Sequence, residues 1–424
     1  MLEDKFPKVL VISDNCFSTD KNNGKTFQNI FKNWPIDKLA QFYIWPEIPN
    51  SNVCATYYRL TDLECLHALY TKKSVMGSIV KSHDINSIST SGGVYGSSWK
   101  NWSVSRFLRE FIWRSKFWKQ RGLIDWVNQY DPDVVFFVGI HCAFLYRIAY
   151  YICKTKDIPL VVYCTDDYYL PRFSLSVFYH LHRMWLVKWT KKLLRMEKTS
   201  LVTINEFMQE KYKKKFHKDS RIIMNLIGIP ELCPSYQDDS DRKIKIVYIG
   251  NLGHNRWKVL KNLAEAVMNS QYADKFMIEV YLGIEPTPKE LKAITNPPYI
   301  NYYGKLNAEQ VKQKQLEADI LLHVEAFDYK SRRNVQLSLS TKITEYMAAG
   351  RPVLAIGPGE VASIRFLKKY AGAYCITELN KDNIEDVLAK MTNYSKRKEM
   401  GYQNWKCIRS ILNENKVEHI IKAR

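Results

Sequence analysis

A lysine and a glutamate stand three residues apart in the stretch STKITEYMAAGRPVL, which begins at Ser340. The pattern predicts a helix that starts at Ser340 or Thr341 and is ended by Gly350 and Pro352. The unbonded N–H groups and the positive dipole end at a helix start attract anions, and Lys342 adds a full positive charge there. This stretch therefore predicts a helix start that binds phosphate.

Glu345 is a carboxylate one turn into the same predicted helix. It cannot complete a capping box, because the residue three positions before it is Lys342 and a capping box needs Ser or Thr there. A carboxylate one turn from a phosphate can instead accept two hydrogen bonds from a diol, as acidic residues do for ribose hydroxyls in dinucleotide sites. Glu345 therefore predicts nucleotide binding; the alternative is a solvent-facing glutamate that merely favours a helix start.

The predicted helix belongs to an alternation of apolar strands and amphipathic helices. Strands are predicted at KVLVIS, DPDVVFFVG and IPLVVYC in the first half of the chain, and at KIKIVYIG, FMIEVYLG, ADILLHVEAF and RPVLAIG in the second half. This alternation is typical of parallel sheets, in which the loops after the strands bind ligands. The predicted fold class is α/β, with two Rossmann-like, doubly wound parallel-sheet domains.

A polar stretch that contains proline, ELCPSYQDDSDRK, separates the two series of strands and is interpreted as a linker. A chain of 424 residues is long enough for two domains. We predict a first domain over residues 1–235, a second over 236–402, and a C-terminal helix over 403–424 that packs back on the first domain.

Charge and cysteine content limit the partners and the compartment. The chain has 63 Lys and Arg against 43 Asp and Glu, a formal charge of +20, which predicts an acidic partner. Phosphorylated substrates, an anionic membrane and nucleic acid all fit this charge, but no recognised nucleic-acid-binding module is present. The nine cysteines form no CxxC pair, and no run of eighteen apolar residues occurs. A cytoplasmic protein with reduced thiols is expected.

Two segments mix aromatic and basic residues, SSWKNWSVSRFLREFIWRSKFWKQRG from Ser97 and FYHLHRMWLVKWTKKLLRMEK from Phe178. Such segments suit an anionic membrane surface, and the alternative is that their aromatics fill the core of the first domain. In the first segment, helical spacing places Trp113 and Phe117 outside one apolar face; that face is formed by Val104, Phe107, Leu108, Phe111 and Trp118.

The stretch LSLSTKITEYMAAGRPVLAIGP resembles the donor-binding segment of GT-B fold glycosyltransferases, particularly the retaining family 4 of bacterial polysaccharide and lipid-linked glycosyltransferases. The resemblance implies two domains that face each other across a cleft, with a nucleotide-sugar donor on the second domain and the acceptor on the first. It implies that Glu345 binds the ribose, and that Lys342, Ser340 and Thr341 hold the phosphates.

Three further stretches of the second domain resemble parts of the donor site of that family. In YIGNLGHNRWKVLKNL, the resemblance implies that Arg256 grips the diphosphate from a loop opened by Gly250 and Gly253, with Asn251 where many members have Arg. HVEAFD resembles the Glu-x-Phe start of a family motif, which implies that Glu325 contacts the sugar or phosphate. INYYGKL resembles the strand before the base pocket, which implies that Tyr303, or else Tyr302 or Lys305, contacts the base.

The first domain offers candidates in the loops that follow its strands. Gly24 in NNGKT is expected in a loop where backbone approaches the donor phosphates, with a flexible surface turn as the alternative. His141 and the two acids of TDDYY, Asp166 and Asp167, are expected to line the cleft and to contact the sugar or acceptor. In many members of the resembled family a histidine follows the third strand, where this chain has acids. Since GT-B enzymes generally work without a metal, none is expected.

The leading hypothesis is a glycosyltransferase at the inner face of the cell membrane, cytoplasmic and peripherally bound. It moves a hexose-type sugar from a nucleotide diphosphate, UDP before GDP, to a lipid-linked saccharide or surface-polysaccharide precursor, with retention. One alternative is a sugar-nucleotide epimerase of the same fold, which Asp166, Asp167 and His141 keep open. The other is a non-catalytic protein that binds membranes or polyanions. The sequence leaves the base, the sugar, the acceptor, the linkage and the oligomeric state open.

Overall fold

The computed structural model describes residues 6–19, 22–71, 76–82, 103–113, 118–119, 122–225, 227–236, 242–295, 300–414 and 416–422. The chain divides into two compact units, Met1–Asn225 with Asn415–Arg424, and Leu226–Glu414. The division precedes the predicted boundary after residue 235, because residues between the two points bond within the second unit. The carbonyl of Ser235 accepts from the Arg351 guanidinium at 2.8 Å, and the carbonyl of Pro230 accepts from the Trp405 indole N–H at 3.0 Å.

The first unit contains an eight-stranded sheet of order β4-β3-β2-β1-β5-β6-β7-β8. Its strands are β1 Val9–Ile12, β2 Leu39–Tyr43, β3 Thr56–Arg59, β4 Ser78–Val80, β5 Val134–Gly139, β6 Leu160–Cys164, β7 Thr199–Thr203 and β8 Ser220–Ile222. All neighbours pair in parallel except β3 and β4, which pair antiparallel at one edge. Every residue of β1, β5 and β6 is buried, as expected for strands covered on both faces.

Helices connect these strands. They are α1 Asn22–Phe31, α2 Asp62–His67, α3 Ser103–Ile112, α4 Leu123–Tyr130, α5 Ala143–Lys156, α6 Val177–Leu194 and α7 Glu206–Phe216, and a last short helix, α16 Glu418–Ile421, also belongs to this unit. Caps set several of the helix starts: Ser176 caps α6 by accepting from the Tyr179 N–H at 3.4 Å, and Asn205 caps α7 by accepting from the Met208 N–H at 2.8 Å.

The second unit contains a six-stranded sheet of order β11-β10-β9-β12-β13-β14, parallel throughout. Its strands are β9 Ile244–Gly250, β10 Phe276–Leu282, β11 Ile300–Tyr302, β12 Ile320–Val324, β13 Val353–Ile356 and β14 Ala373–Ile376. Its helices are α8 Arg256–Met268, α9 Pro288–Thr295, α10 Ala308–Glu317, α11 Tyr329–Val335, α12 Thr341–Ala348, α13 Ala362–Tyr370, α14 Lys381–Met391 and α15 Tyr394–Glu414. Two parallel α/β sheets confirm the predicted fold class.

The long helix α15 packs against α12 within the second unit. A Cβ atom on Gly401 would lie 2.1 Å from the carbonyl oxygen of Gly350, so only glycine permits this approach. Gly350 itself has φ +65°, a left-handed conformation that ends α12. The Asn404 side chain donates to the carbonyl of Arg351 at 2.9 Å. Helix α15 therefore packs closely against the end of α12, the helix that carries Lys342 and Glu345.

Both sheets reverse their direction of strand addition at one point. In the first sheet β2 lies on one side of β1 and β5 on the other, and in the second sheet β10 and β12 flank β9 in the same way. Ligands of open parallel sheets bind at the carboxyl ends of the strands at such a point. The loops after β1 and β5, and after β9 and β12, are therefore the expected ligand-binding regions of the two sheets.

Candidate functional site

An arginine and a glutamate meet at the point where the six-stranded sheet reverses. Arg256 is the first residue of α8, after β9, and Glu325 directly follows β12. The Arg256 Nε donates to Glu325 Oε2 at 3.1 Å, and Nη2 donates to both carboxylate oxygens at 3.0 and 3.1 Å. The structure thus joins two residues that the sequence suggested separately for the donor.

The Arg256–Glu325 pair lies in a low-dielectric setting. The Glu325 side chain is 4% exposed, and burial raises the pKa of its carboxyl group while the Arg256 charge opposes that rise. Arg256 also donates from Nη1 to Asn251 Oδ1 at 3.1 Å, an oxygen that accepts from the Gly253 N–H at 3.2 Å. Asn251 therefore orients Arg256. Position 251 is the one at which many members of the resembled family have a second arginine.

His323 is a neighbour that the sequence reasoning did not single out. Its Nε2 lies 3.6 Å from Glu325 Oε1, and burial, with a smaller effect of the Arg256 charge, lowers the pKa of the imidazole to about 3. The ring is therefore neutral at physiological pH. A signal was present in the sequence, since residues two apart on a strand point to the same face and His323 is two before Glu325.

The turn between β9 and α8 is fixed by its own polar side chains. His254 and Asn255 have φ of 57° and 59°, a left-handed conformation more common for Asn and His than for most residues. The Asn255 side chain donates to Asp328 Oδ2 at 3.0 Å, and Asp328 caps α11. At Gly250 a Cβ would lie 2.8 Å from the Tyr248 hydroxyl. The turn that carries Arg256 is thus tied to the loop that carries Glu325.

The start of α12 has the predicted form. Ser340 is the N-cap, and its hydroxyl accepts from the Lys342 N–H at 3.4 Å; Thr341 is exposed. Glu345 Oε2 lies 3.6 Å from Lys342 Nζ and accepts from the Gln315 side chain at 3.0 Å. Gln315, which the sequence did not suggest, is buried on α10. Together these residues form a partly buried, charged group at one helix start.

Helix α12 is tied to the strand that leads to Arg256. The Tyr346 hydroxyl donates to the carbonyl of Ile249, the penultimate residue of β9, at 3.1 Å. Tyr303, suggested for the base, is 54% exposed and stacks on Tyr281 with ring centroids 5.3 Å apart. An exposed stacked ring of this kind can take a further planar group on its face. The second unit thus presents aromatic, cationic and carboxylate groups at the carboxyl ends of its strands.

In the first unit, His141 follows β5 and the acids Asp166 and Asp167 follow β6. Asp167 is buried, and its Oδ1 accepts from the N–H groups of Tyr169 and Leu170, both at 3.1 Å, and from the Tyr212 hydroxyl at 3.0 Å. These bonds hold the loop after β6 in place. Asp166 is partly exposed beside it. The acid/base role considered for the pair stays a prediction.

A cavity of about 70 Å³ brings together His141 and Asp167. Desolvation lowers the pKa of His141 well below its usual value, and the charges of Arg106 and Arg109 add to the effect. The histidine is therefore neutral at physiological pH and lies in a positive field. The sequence suggested neither Arg106 for this site nor the other arginines that line the cavity.

Gly24 lies elsewhere than expected. It is in the first turn of α1 rather than in a loop, and a Cβ at this position would lie 2.2 Å from the carbonyl oxygen of Cys16. The close approach of two backbone segments therefore explains the glycine. The start of α1 still lies at the carboxyl end of β1, the edge of the sheet at which ligands of such folds bind.

The burial of the aromatic residues in the first of the two aromatic segments differs in part from what helical spacing predicts. Helix α3 ends at Ile112, so Trp113 leaves the helical pattern and is fully buried, stacked on Phe144 with centroids 4.3 Å apart. Leu108 and Phe111, expected on a common apolar face with Trp118, are 51% and 48% exposed, whereas Trp118 is buried. Trp113 thus lies outside the apolar face of α3, as its spacing predicted, and fills the core of the first unit, which was the alternative to a membrane surface. Phe117 lies outside the described residues.

An apolar surface on α3 and α6, here called the α3–α6 face, remains exposed. Phe107 and Trp185 stack with centroids 5.1 Å apart where the two helices pack. The members of the face are Leu108, Phe111, Phe178, Leu181, Met184 and Trp185. Phe173 and Leu175, in the segment before α6, are 80% and 89% exposed. Contiguous exposed apolar side chains of this extent mark a surface that interacts with something.

Two features are absent from the described part of the chain. No helix in it combines the length and apolarity needed to cross a bilayer. No group of three or more His, Cys, Asp and Glu side chains in the same residues is arranged to hold a metal ion.

Comparison with known proteins rests on structure. No protein-family model and no curated protein matches this sequence. Among solved structures, Anabaena HepE in complex with UDP and glucose matches with a TM-score of 0.59 and 11% identity over 99% of this chain and 98% of that one. Sucrose-phosphate synthase from Thermosynechococcus elongatus matches with a TM-score of 0.59 and 10% identity, over 98% and 96%. The chain has the GT-B fold.

A third GT-B structure extends the comparison. A trehalose-6-phosphate protein from E. coli, bound with UDP-2-fluoro glucose, has a TM-score of 0.61 and 10% identity over 98% of this chain and 99% of that chain. At such identities the likeness concerns the fold, and a GT-B fold hosts more than one activity. The activity of this chain therefore has to be argued from its own residues.

Proposed function

We propose that this protein is a glycosyltransferase that moves a hexose-type sugar from a nucleotide-diphosphate donor, with UDP as the nucleotide, to a lipid-linked saccharide or a similar surface-polysaccharide precursor. The observation that carries the proposal is the Arg256–Glu325 pair at the reversal point of the six-stranded sheet. That is where parallel sheets bind nucleotides, and the start of α12 adds a second cationic group at the same edge.

The chemistry follows from the charges. A departing nucleoside diphosphate gains negative charge, which Arg256, Lys342 and the N–H groups at the start of α12 stabilise. Glu325 and Asn251 hold the Arg256 guanidinium in one orientation, so it does not need to reorganise during the reaction. Glu345 accepts from the ribose hydroxyls, and Tyr303 stacks on the base. UDP is favoured because the HepE structure contains UDP and the E. coli structure contains UDP-2-fluoro glucose.

The proposed reaction proceeds with retention of configuration and without a metal. The leaving phosphate accepts the proton of the acceptor hydroxyl, so no strong protein base is needed. The charge that a metal would neutralise on the diphosphate is met by Arg256 and Lys342. Asp167 Oδ1 holds its own loop through three hydrogen bonds, which favours a structural role for this acid over the acid/base role that an epimerase requires.

The donor site is tested by thermal unfolding of the full-length protein with a panel of nucleotides and sugar nucleotides. A ligand at 100 times its dissociation constant that binds only the folded state adds about 2.7 kcal/mol of stability. We expect UDP compounds to stabilise the wild type and not Glu345→Ala. The matched control is Glu385→Ala, which removes the glutamate of another Lys–Glu pair at a helix start, Lys381–Glu385.

The control variant should be stabilised like the wild type. Stabilisation by UDP compounds that persists in Glu345→Ala removes this glutamate from the donor site. Absence of any nucleotide effect in the wild type contradicts the transferase proposal and favours a protein that only binds membranes or polyanions.

We further propose that the α3–α6 face docks on an anionic membrane, so that the protein is cytoplasmic and peripherally bound. Four of the six side chains of this face lie on α6, the helix that also carries Lys188, Lys191 and Lys192. Apolar side chains beside lysines suit the boundary between acyl chains and anionic headgroups. Arg109, by contrast, is bonded to Asp62 at 2.8 Å, so it contributes to the first unit's own structure.

Vesicle co-sedimentation tests the docking surface. Leu108→Glu and Met184→Glu, at two exposed members of the face, place a carboxylate where an acyl chain is expected, and each should weaken binding to anionic vesicles about tenfold. Leu232→Glu is the matched control, since Leu232 is an 82% exposed leucine in the second unit. Binding at the wild-type level in all three variants excludes the α3–α6 face as the dock. Equal loss in all three indicates a general charge effect.

A further inference from the structure

A buried glutamine contacts the carboxylate that is proposed to bind the ribose. Gln315 lies in the last turn of α10, and its Nε2 donates to Glu345 Oε2 of α12 at 3.0 Å. It is the one fully buried residue of α10, a helix that the structure describes over its whole length. An amphipathic helix normally buries apolar side chains, and a buried amide costs stability unless it is hydrogen-bonded. The polar residue at this position is therefore explained by its bond to Glu345.

The type of residue suits a carboxylate that keeps its charge. An amide N–H fixes the position of a carboxylate without adding a positive charge, as a lysine or arginine would. Hydrogen bonds to an ionised carboxylate are roughly twice as strong as bonds between neutral groups, so a charged Glu345 binds ribose hydroxyls more tightly. Lys342 Nζ lies further from the same oxygen, at 3.6 Å. When Lys342 holds the diphosphate, as proposed, the bond from Gln315 keeps Glu345 in place.

The helices that carry the two residues are joined by a buried arginine. Arg351 is 3% exposed. Its Nη1 donates to the carbonyl of Ala349 at the end of α12 at 3.1 Å, and its Nε donates to the carbonyl of Ala318, just after α10, at 3.0 Å. The carbonyl groups at helix ends lack partners within the helix, and this guanidinium bonds to one at each end. The second unit thus holds Gln315 and Glu345 at a fixed separation.

We propose that Gln315 is a positioning residue that orients the Glu345 carboxylate toward the ribose, and that it thereby makes the donor site select ribonucleotides over nucleotides that lack the ribose hydroxyls. The inference rests on the proposed function and deepens it, since it names the group that decides this selectivity. Gln315 acts through Glu345 and does not touch the reacting atoms. Without its bond the carboxylate loses the contact that fixes this orientation, and the hydroxyls lose an acceptor in a defined place.

The test measures the affinities of the full-length protein for UDP and for 2′,3′-dideoxy-UDP, which lacks both ribose hydroxyls, by isothermal titration calorimetry. Gln315→Met keeps about the volume of the side chain and removes the donor. Gln315→Asn keeps the amide but shortens the side chain, so the amide no longer reaches Glu345. The matched control is Gln313→Met, because Gln313 of the same helix donates to Glu317 Oε1 at 2.7 Å but is exposed.

We expect the wild type and Gln313→Met to bind UDP about a hundredfold more tightly than the dideoxy compound, because two hydroxyls bonded to a carboxylate contribute about tenfold each. In both Gln315 variants this preference should fall by about tenfold. The fall should come from weaker binding of UDP, with the affinity for dideoxy-UDP unchanged. Circular dichroism on every variant checks the fold, and if Gln315→Met fails to fold, Gln315→Asn carries the test.

Three results would overturn the inference. A wild-type preference for UDP in the folded Gln315 variants shows that this glutamine does not orient Glu345. Weakening of both ligands by the same factor shows that Gln315 only supports the shape of the site. Equal affinity of the wild type for the two ligands removes the ribose role of Glu345. A failure of the proposed function is distinguishable from these, because the wild type then binds neither ligand, and the inference fails with it.

Discussion

A buried carboxylate lies at the reversal point of each sheet, but the groups bonded to it differ between the two units. Glu325 follows β12 and Asp14 follows β1; both carboxylates are buried, and burial raises the pKa of each. Glu325 has the Arg256 guanidinium within 3.1 Å on both oxygens. Asp14 accepts from the Asn15 N–H at 3.0 Å, while Arg109, which also lowers its pKa, is bonded to Asp62.

This difference shows how one topological position can serve two tasks. In the second unit the pair fixes a guanidinium at the end of the strands, which suits a diphosphate that must be held in a single geometry. Among the described residues of the first unit, no arginine is bonded to the Asp14 carboxylate in the same way, and three arginines line the neighbouring cavity instead. The comparison predicts that the two carboxylates respond differently to substitution, and three experiments test it.

The largest effect is expected for Arg256→Ala. It leaves the buried Glu325 carboxylate without its partner, which costs about 3 kcal/mol of unfolding free energy, and it removes the cation proposed for the leaving group. Denaturant unfolding and donor binding measure the two effects. Arg332→Ala is the control, because its pair with Glu360 at 2.9 Å is more exposed, with side chains 36% and 51% accessible, and should cost less than about 1 kcal/mol.

Equal losses in Arg256→Ala and Arg332→Ala would show that the Arg256–Glu325 pair behaves as an ordinary surface ion pair. The second unit would then have no fixed cation at the reversal point, and the contrast with Asp14 would disappear.

An intermediate effect is expected in the pH dependence set by His323. The folded protein holds the pKa of His323 near 3, against about 6.5 when unfolded. Stability that is present above pH 6.5 is therefore lost as pH falls toward 3, because His323 binds a proton in the unfolded chain but stays neutral in the folded protein. Between pH 7 and pH 5 the wild type should lose about 2 kcal/mol more than His323→Gln in urea unfolding.

Glu325 acts on the pH profile in the opposite direction. The pKa of Glu325 is higher in the folded protein than in the unfolded chain. Its contribution to stability is therefore fully present at a pH below the unfolded-state pKa, and it is lost as the pH rises through the folded-state pKa. The comparison with His323→Gln removes this contribution, which both proteins share. If the unfolding free energies of the wild type and His323→Gln change in parallel with pH, the folded protein does not hold His323 in its neutral form.

The smallest effect is expected for Asp14→Asn. Because the pKa of Asp14 is raised in the folded state, the ionised carboxylate costs stability at neutral pH; an amide avoids this cost and can keep the bond from Asn15. We expect a gain of about 1 kcal/mol at pH 7. Glu325→Gln should instead lose stability, since it unpairs Arg256. A loss of similar size in both variants contradicts the comparison.

Much of the fold was predictable because its signals are local. The apolar runs at β1, β5, β6, β9, β10, β12 and β13 are strands buried on both faces, and the structure confirms them. Short edge strands such as β4 and β8 carry little apolar pattern and were not predicted. The start of α12 was predicted from Ser340, because a cap acts within one turn of the chain.

The candidate site was predictable in part. Glu345, Lys342 and Arg256 were suggested from motifs, and Gln315, His323 and Asp328 were not. Trp118 was wrongly placed on one face with Leu108 and Phe111, because the helical spacing assumed that α3 continues past Ile112. The arginines of the cavity come from three separate elements and share no pattern along the chain.

The sequence by itself determined the alternation of strands and helices, the cap of α12 and the basic character of the chain, because each depends on residues within a few positions or on composition. Only the tertiary structure decided that Arg256 pairs with Glu325, 69 residues away, and that three arginines meet around one cavity. The physical reason is the order of strands in each sheet, which brings distant loops to one edge and is set by packing rather than by local spacing.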